Sequence, residues 1–540
     1  MQFKIKVLLV LITIFLVALG AFLYMSLQSR SNISVESLSF EVNVEGWRIS
    51  RVIKAKITNT GSENVTITGV EVNGKSVNRW TSGSRVLTPK ESTFIYIYYP
   101  WKSSTQYSVK ISTSGGEGIL KAKSPQFSKI LLKLTNVGGD VWEGVFSFET
   151  YFSDGECKPK GIKVFNEYGE EVASQMWGIV TYESGYVKTA IISFHVSIPP
   201  GGEKTFAITL GVEPKAYESN PNILVEESDE YIRVINGRII VGFNNSDRYH
   251  GSIDYFGDVE GSYNFAEIFK PPEATLSELY FFHGFLDSVL DSSGKMFAII
   301  MKTEISIESK GPLLVVVKRS WKLRDLGTAY DFYAIPQNST SIYYRFVIDA
   351  VKNIGLGALA GEGEYTIYNP AGMGSFAIGH LAVKGADFFL TAEGDIYSPL
   401  YPGMDVPAEK PIASCVDHET GVGVQLISND EVNPIGYWHI SKQKFPWHIW
   451  GGDKPSPSTS EIGGYKYAKD LSFIAGVHKY LLCYSGEQSD PWRGNGISIE
   501  PGTYSWVMKV KAVIKKSIST ELQEMLERKA TLLVEASFKD

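Results

Sequence analysis

Apolar and polar residues alternate with a period of two along most of the chain after residue 31. This period is typical of β-strands that are buried on one face only. In the first block it defines four strand segments: Val52–Thr58, Val65–Val72, Phe94–Tyr99 and Tyr107–Ser112. Asn73-Gly74 follows the second segment and is typical of a tight hairpin turn. We therefore predict a small antiparallel sandwich of immunoglobulin-like size over residues 31–126.

The second block, residues 127–218, continues the same alternation on both sides of a turn. Ile192, Phe194, Val196 and Ile198 alternate with polar residues before Pro199-Pro200-Gly201-Gly202, and Phe206, Ile208, Leu210 and Val212 alternate after it. This pattern predicts a half-buried hairpin whose apolar side faces inward. His195 falls on the polar side, where we expect it to be solvated. The block is predicted to be an accessory β-sandwich.

The third block, residues 219–516, is the largest. It opens with YIRVINGRIIVGFN at 231–244, which predicts a hairpin around Asn236-Gly237. Further strand-like runs are Phe297–Ser309, Leu313–Leu323, Ile342–Ala350, Phe388–Ala392, Gly423–Ser428 and Ser505–Ile514. A unit of this size made almost entirely of strands is predicted to be a large sandwich or several stacked sheets.

A single clear helix is predicted in residues 517–540, followed by a tail. Thr520 is a suitable N-cap with Gln523 three residues later, and Leu522, Met525 and Leu526 form an apolar stripe. The fold class expected from the whole pattern is all-β with one C-terminal helix and an N-terminal transmembrane helix.

The predicted transmembrane helix is the uncharged apolar run Val7–Met25. Nineteen helical residues span roughly 28 Å, close to the thickness of a bilayer's hydrocarbon core. Lys4 and Lys6 precede the run, so residues 1–30 are predicted to be a cytoplasmic tip and anchor with the bulk of the chain extracellular. The alternative is a secreted chain whose signal is cleaved near Ala18-Leu19-Gly20.

Charge and motif content exclude several classes of function. The chain has 52 Lys and Arg, of which three precede residue 31, leaving 49 against 59 Asp and Glu. This acidic balance argues against a nucleic-acid partner. Nucleotide-binding, HExxH and GxSxG motifs are absent from the sequence, and we predict no cofactor and no metal.

The cysteines and asparagines bear on the extracellular prediction. Cys157, Cys415 and Cys483 are expected to be core thiols, with a Cys415–Cys483 disulfide as the alternative. Four N-glycosylation patterns, which begin at Asn32, Asn64, Asn244 and Asn338, are compatible with a glycoprotein outside the cell.

The densest aromatic segment is GYWHISKQKFPWHIWGGDKP at 436–455. Without clear strand or helix spacing it is predicted to be largely loop, and large aromatic rings in loops are typical of buried covers or of binding sites. Flat aromatic rings suit the C–H faces of sugars, so we predict carbohydrate binding there. The predicted carbohydrate-binding residues are Tyr437, Trp438, Trp447, Trp450 and Trp492. The alternative is that these rings cover the open end of a sandwich.

Candidate catalytic residues lie in or near the same segments. His439 and His448 titrate near neutral pH, and Glu461 could act as a partner of either. Arg493 could neutralise the carboxylate of an acidic sugar, as a lyase or epimerase requires. His380 and His283 are expected to be structural.

Blocks two and three together resemble a known domain pair over roughly residues 128–515. The resemblance lies in six segments: Gly169–Gln175, the Pro-Pro-Gly-Gly turn at 199–202, Lys204–Phe206, the hairpin at 231–244, Ile305–Leu313 and Tyr330–Pro336. This order is similar to an accessory sandwich followed by a galactose-mutarotase-like supersandwich. That pair is found in family-38 α-mannosidases, several polysaccharide lyases and exo-rhamnogalacturonan-lyase-like proteins.

The resemblance implies a carbohydrate partner, and its departures limit the chemistry. The chain has neither the alternating strands and helices of the mannosidase catalytic barrel nor enough helices for the toroid of many lyases. Any catalysis would therefore lie on the supersandwich itself. We expect a membrane-anchored extracellular protein that binds or processes carbohydrate. The alternatives are an active polysaccharide lyase or glycosidase, and a non-catalytic structural or adhesion protein.

Overall fold

The computed structural model describes residues 33–215, 222–245, 251–261, 288–291, 303–323, 326–356, 365–368, 375–384, 388–391, 394, 396–397, 404–407, 412–428, 436–443, 461–462, 465–466, 474–482, 497–527 and 532–539. These residues are almost all in strands, which confirms the all-β prediction, and they contain one helix. In this part of the chain no helix combines the length and the apolarity needed to cross a bilayer. The predicted anchor at residues 7–25 lies outside it.

The first block is a sandwich of two sheets. Its strands are β1 (Ile33–Glu45), β2 (Arg48–Asn59), β3 (Val65–Val72), β4 (Lys75–Ser76), β5 (Trp80–Ser82), β6 (Val86–Leu87), β7 (Ser92–Tyr98), β8 (Gln106–Thr113) and β9 (Gly116–Lys123). One sheet contains β1, β2, β7 and β5 and continues into the second block, and the other contains β4, β3, β8 and β9, with β6 beside β3. Ile53, Ile95 and Val109 are fully buried between the sheets and belong to the core of this block.

The second block also has two sheets around one core. Its strands are β10 (Lys129–Asn136), β11 (Trp142–Tyr151), β12 (Ile162–Phe165), β13 (Glu171–Val172), β14 (Ser174–Thr181), β15 (Val187–Ile198) and β16 (Glu203–Leu210). The buried residues Ile192, Phe194, Phe206 and Ile208 line this core, and His195 is exposed. The solvated histidine and the inward face were therefore predicted correctly except at Val212, which lies beyond β16 and is exposed.

The predicted hairpin between β15 and β16 is wrong. β15 pairs with β11 and β14, whereas β16 pairs with β10 and β12 in the opposite sheet. The chain passes from one sheet to the other through the turn at 199–202, and the two apolar faces meet across the core. Alternation identifies which face of a strand is buried, but it does not identify the strand's hydrogen-bonded neighbour.

Within its described residues, the third block contains five sheets. Its strands are β17 (Leu224–Glu227), β18 (Tyr231–Ile235), β19 (Ile239–Asn244), β20 (Ser252–Asp258), β21 (Ser288–Asp291), β22 (Glu304–Lys310), β23 (Leu314–Lys322), β24 (Gly327–Pro336), β25 (Ser341–Ala350), β26 (Ile354–Leu356), β27 (Tyr365–Tyr368), β28 (Ser375–Lys384), β29 (Phe388–Thr391), β30 (Ile396–Tyr397), β31 (Met404–Pro407), β32 (Ile412–Asp417), β33 (Val422–Ser428), β34 (Gly436–Gln443), β35 (Glu461–Ile462), β36 (Tyr465–Lys466), β37 (Ile474–Leu482), β38 (Ile497–Ile499) and β39 (Gly502–Val513).

A nine-stranded antiparallel sheet organises the third block, in the order β22-β23-β24-β25-β39-β33-β32-β29-β30. The other sheets are β17-β18-β19-β20, β21-β27-β26-β38, β28-β37-β34-β31 and the pair β35-β36. β18 and β19 form the predicted hairpin, with Gly237 in the left-handed region at φ +91°. Only a residue without a Cβ adopts this conformation without strain.

The C-terminus differs from the prediction in two ways. Helix α1 (Ile518–Glu527) begins one turn earlier than expected, and Ser517 rather than Thr520 caps it by accepting a hydrogen bond from the Thr520 backbone amide (3.2 Å). Residues predicted to be a tail form strand β40 (Leu532–Lys539), which pairs with β10 along its length. The last strand of the chain therefore completes the second block.

The cysteine prediction is met for Cys157, which is a free buried thiol. Burial raises the pKa of this thiol to about 11, so it is neutral at physiological pH and behaves as a small core residue. The backbone of Cys415 lies on β32, and Cys483 is outside the described residues.

Candidate functional site

A buried ion triad lies where the three blocks meet. Arg48 on β2, Glu149 on β11 and Arg345 on β25 come from the first, second and third blocks, respectively. The Arg48 Nη2 and Arg345 Nη2 atoms lie 2.6 Å from the two Glu149 carboxylate oxygens. Arg345 and Glu149 side chains are at most 1% exposed. The Glu149 carboxylate therefore lies between two arginine charges away from water, and the triad links the three blocks.

The charge state of Glu149 follows from this arrangement. Burial alone would raise its pKa, but the charges of Arg48 and Arg345 and hydrogen bonds from Ser505 and Arg345 outweigh burial and lower the pKa to about 2. Glu149 is thus ionised throughout the physiological range.

Gly178 lets the second block approach Arg345 closely. Its φ is +63°, and a Cβ at this position would lie 3.0 Å from the Arg345 Cδ atom. The Gly178 carbonyl accepts a hydrogen bond from Arg345 Nη1. The Glu308 carboxylate accepts hydrogen bonds from the backbone amides of Gly178 (2.8 Å) and Ile179 (2.9 Å). These contacts fix β14 against the nine-stranded sheet.

A pocket of about 190 Å³ opens beside the triad, at the same three-block junction. We call it the junction pocket. It is lined by Ser50, Arg51, Arg79, Tyr98, Tyr99, Pro100, Tyr151, Phe152, Tyr182, Lys188 and Thr503. It is smaller than the roughly 300–1,000 Å³ typical of sites for drug-sized ligands, so it suits one ring or one small charged group.

The three cations that line the pocket differ in how fully they are paired. Arg51 binds Glu156 through both terminal nitrogens, at 2.5 and 2.7 Å. Lys188 Nζ lies 2.6 Å from an Asp349 carboxylate oxygen. Both charges are therefore compensated within the protein.

Arg79 is the least tightly paired of the three. Its Nη2 atom lies 3.6 Å from the Glu45 carboxylate, beyond direct hydrogen-bond distance. Its guanidinium carbon lies 4.6 Å from the centre of the Tyr98 ring and 5.5 Å from that of Tyr151. Burial, and then the charge of Arg48, lower the Arg79 pKa. A bound anion would offset both the cost of burying the Arg79 charge and its repulsion from Arg48.

A residue that lines the pocket also carries an unsatisfied hydroxyl group. Ser50 is 5% exposed, and its Oγ atom is fully buried and has no hydrogen-bond partner in the protein. A buried polar atom without a partner costs about 1–3 kcal/mol.

The tyrosine hydroxyls are protonated donors at neutral pH. Burial raises the pKa of Tyr182 to about 12 and also raises the pKa of Tyr98 and Tyr151. The Tyr182 hydroxyl donates to the Phe152 carbonyl (2.8 Å), and that of Tyr98 donates to Glu45. These interactions hold the rings in place along the pocket wall.

The sequence did not identify this pocket. Tyr98 and Tyr99 end the FIYIYYP run, which was interpreted only as a strand, and Arg51 and Arg79 carry no local motif. A run of tyrosines at the end of a strand was the one available signal. The other lining residues come from positions up to Thr503, so only the fold brings them together.

The sequence-predicted site residues lie elsewhere, in the third block. Residues 436–443 form β34 rather than loop, because Tyr437 and His439 alternate with Trp438, and aromatic residues on both faces hid the period. Tyr437 and His439 share one face, and Trp438 is on the other. Glu461 lies on β35 opposite Lys466. His448, Trp447, Trp450, Trp492 and Arg493 are outside the described residues.

Among the side chains that the structure describes, no three His, Cys, Asp or Glu residues are grouped so that they could hold a metal ion. In the backbone register, however, His439 lies opposite His478 on β37 and opposite Asp405 on β31.

Comparisons with known proteins give partial structural similarities. No protein-family model and no curated protein matches the chain. An α-mannosidase from Enterococcus faecalis V583 matches 76% of this chain at 12% identity, with a TM-score of 0.38, and this chain spans 46% of that structure. A GH36 α-galactosidase from Geobacillus stearothermophilus matches 54% of this chain and 41% of its own, at 8% identity and a TM-score of 0.31. The archaellum periplasmic stator protein of Sulfolobus acidocaldarius matches 17% of this chain and 97% of its own, at 19% identity and a TM-score of 0.14.

Proposed function

We propose that the chain is an extracellular carbohydrate-binding protein and that the junction pocket receives one acidic sugar residue. The observation that carries this proposal is Arg79, which lies against two tyrosine rings and is weakly paired, in a pocket whose lining includes no carboxylate. Arginine binds carboxylates through two parallel hydrogen bonds. Tyrosine faces offer apolar surface to the C–H side of a sugar ring.

Binding, rather than cleavage, is the activity that the pocket chemistry supports. A lyase needs a base to remove a proton beside the neutralised carboxylate. The raised pKa values of Tyr98, Tyr151 and Tyr182 keep these hydroxyls protonated at neutral pH, which favours hydrogen-bond donation. An active polysaccharide lyase or glycosidase remains the rival function, and a purely structural adhesion protein is the second rival.

As part of this proposal, we assign a domain type to each of the three blocks. The first block is an immunoglobulin-like spacer, the second an accessory sandwich and the third a galactose-mutarotase-like supersandwich. The aromatic segment 436–455, with Trp492 and Arg493, is a second candidate surface for the same polysaccharide.

Calorimetric titration of the full chain with glucuronate and galacturonate tests the proposal. We expect both uronates to bind at least tenfold more tightly than glucose and galactose. Arg79→Gln is expected to weaken uronate binding roughly 10- to 150-fold, because a hydrogen bond to a charged group contributes about 1.5–3 kcal/mol.

Arg85→Gln is the matched control. Arg85 follows β5, is exposed and stacks on Trp80 outside the pocket, so removing this charge should leave uronate affinity unchanged. Equal affinity for uronates and neutral sugars, or equal losses in the two variants, would contradict the proposal. Release of unsaturated products from an acidic polysaccharide would support the lyase instead.

We further propose that residues 7–25 anchor the chain to the membrane with its N-terminus in the cytoplasm. The support is the length of the apolar run and the lysines before it. After alkaline carbonate extraction the full-length chain should stay with the membrane pellet. Recovery of a soluble chain that begins near residue 21 would show a cleaved signal and a secreted protein.

A further inference from the structure

Strand β7 carries three aromatic rings in line on the outer face of its sheet in the first block. Phe94, Tyr96 and Tyr98 are at alternate positions of this strand and share one face, whereas Ile95 and Ile97 between them are buried in the core. Phe94 is 41% exposed. At about 3.4 Å per residue the three positions span roughly 14 Å. The line of rings therefore runs along the surface and ends at Tyr98, which lines the junction pocket.

The edge strand β5 flanks these rings with small residues. Thr81 is directly opposite Tyr96, and the Gly83 backbone amide donates a hydrogen bond to the Phe94 carbonyl (3.4 Å). Thr81 and Gly83 are both exposed. Opposite residues of antiparallel strands share a face, so the rings stand beside a low floor on this side and form an open groove with it.

Arg79 lies at the pocket end of the same groove. The Arg79 carbonyl accepts a hydrogen bond from the Tyr98 backbone amide (3.0 Å), which puts Arg79 beside Tyr98 and two positions before Thr81. The Arg79 guanidinium carbon lies 4.6 Å from the centre of the Tyr98 ring, so this side chain is on the face that carries the rings. We call this surface the β5 groove; it consists of Arg79, Thr81, Gly83, Phe94, Tyr96 and Tyr98.

A lysine positions the rings from their other side. Lys54 on β2 is opposite Tyr96, and its Nζ atom lies 4.7 Å from the centre of the Phe94 ring and 5.4 Å from that of Tyr96. These distances are typical of cation–π contacts. Lys54 therefore covers the rings on the β2 side, and the side above β5 is the one that receives a ligand.

The charges along the groove favour an anionic ligand. Lys54 Nζ lies 3.6 Å from a Glu41 carboxylate oxygen, and Arg79 Nη2 lies 3.6 Å from one of Glu45. Both distances exceed that of a direct hydrogen bond. The two cations that border the rings are thus loosely paired, and both side chains are partly exposed, at 26% and 33%.

We propose that the β5 groove binds the sugar units next to the acidic unit at Arg79, so that the ligand is a linear acidic polysaccharide rather than a free uronate. This ligand assignment rests on the proposed function, because the uronate at Arg79 fixes one end of the bound chain. Aromatic side chains combine a large apolar face with a fixed geometry, and such faces suit the C–H sides of successive sugar rings. The groove is open along its length and continuous with the junction pocket, as a chain that extends beyond one unit requires.

Calorimetric titration of the full chain with galacturonate, trigalacturonate, glucuronate and triglucuronate tests this proposal. We expect at least one trimer to bind about tenfold more tightly than its monomer, since each further ring contact contributes a factor of roughly 2–10. Phe94→Ala is expected to weaken binding of that trimer about 2- to 10-fold. It should leave the affinity for the monomer unchanged, because the Phe94 ring lies outside the junction pocket.

Tyr231→Ala is the matched control. Tyr231 lies on β18 in the third block, is 42% exposed and also has a cation near its ring, with the Arg233 guanidinium carbon 5.7 Å from the ring centre. This variant should bind monomers and trimers like the unmodified chain. Phe94→Leu keeps an apolar side chain without the aromatic face and should show the same loss of trimer affinity. It replaces Phe94→Ala if that variant does not keep the thermal unfolding curve of the unmodified chain.

The outcomes separate this proposal from the function on which it rests. Monomers that bind as tightly as both trimers, or trimer affinity unchanged in the Phe94 variants, would overturn the groove and leave the uronate pocket intact. A loss in Tyr231→Ala equal to that in Phe94→Ala would also overturn the groove. Failure of every monomer and trimer to bind would overturn the uronate pocket and the groove together.

Discussion

Replacing Glu149 by Gln is expected to lower the free energy of unfolding by about 3–5 kcal/mol, the usual cost of removing one partner from a buried ion pair. The Gln side chain keeps the shape of Glu149 but leaves the Arg48 and Arg345 cations without their shared carboxylate. Because these residues come from three different blocks, we also expect a less cooperative transition. Urea unfolding followed by fluorescence and circular dichroism measures both effects.

Glu203→Gln is the control for this change. Glu203 pairs with Lys133 at 2.7 Å, but its side chain is 62% exposed, and exposed ion pairs contribute about 0–1 kcal/mol. Equal losses in the two variants would show that the triad does not hold the blocks together.

The pH dependence gives a second check on Glu149. Its pKa is lowered from 4.5 to about 2 by folding, so its stabilising contribution is complete above pH 4.5 and is lost as the pH falls toward 2. The stability difference between the unmodified chain and Glu149→Gln should therefore shrink over this interval. A difference that stays constant between pH 6 and pH 2 would contradict the charged triad.

Replacing Phe538 by Ala is expected to cost about 2–3 kcal/mol, somewhat less than the 3–5 kcal/mol of a fully buried phenylalanine. Phe538 lies on β40, and its ring centre is 4.6 Å from that of Trp101 and 4.5 Å from that of Phe127. The C-terminal strand thus contributes to the cores of the first two blocks. Thermal and urea unfolding measure the loss.

Leu533→Ala is the matched control on the same strand. Leu533 lies on the opposite face of β40 and is 51% exposed, so its truncation should change stability by less than about 0.5 kcal/mol. A cost for Leu533→Ala as large as that for Phe538→Ala would show that the loss does not come from burial of the Phe538 ring.

Local patterns predicted the strands and their buried faces well. The hairpin at 231–244 was predictable because Asn236-Gly237 favours a turn that only a few residues adopt. The buried positions of β15 and β16 were predictable because a strand buried on one side must alternate.

Features that depend on distant pairing were not predictable from the sequence. β40 pairs with β10 roughly 400 residues earlier, and no local pattern distinguishes such a strand from a tail. Arg48, Glu149 and Arg345 are ordinary charged residues until three blocks bring them together.

The central claim is that an acidic sugar occupies the junction pocket, and a crystal structure of the full chain with saturating glucuronate tests it most directly. The account predicts the sugar carboxylate within hydrogen-bond distance of the Arg79 guanidinium, with the sugar ring against Tyr98 or Tyr151. A glucuronate bound elsewhere while this pocket holds only water would contradict the account.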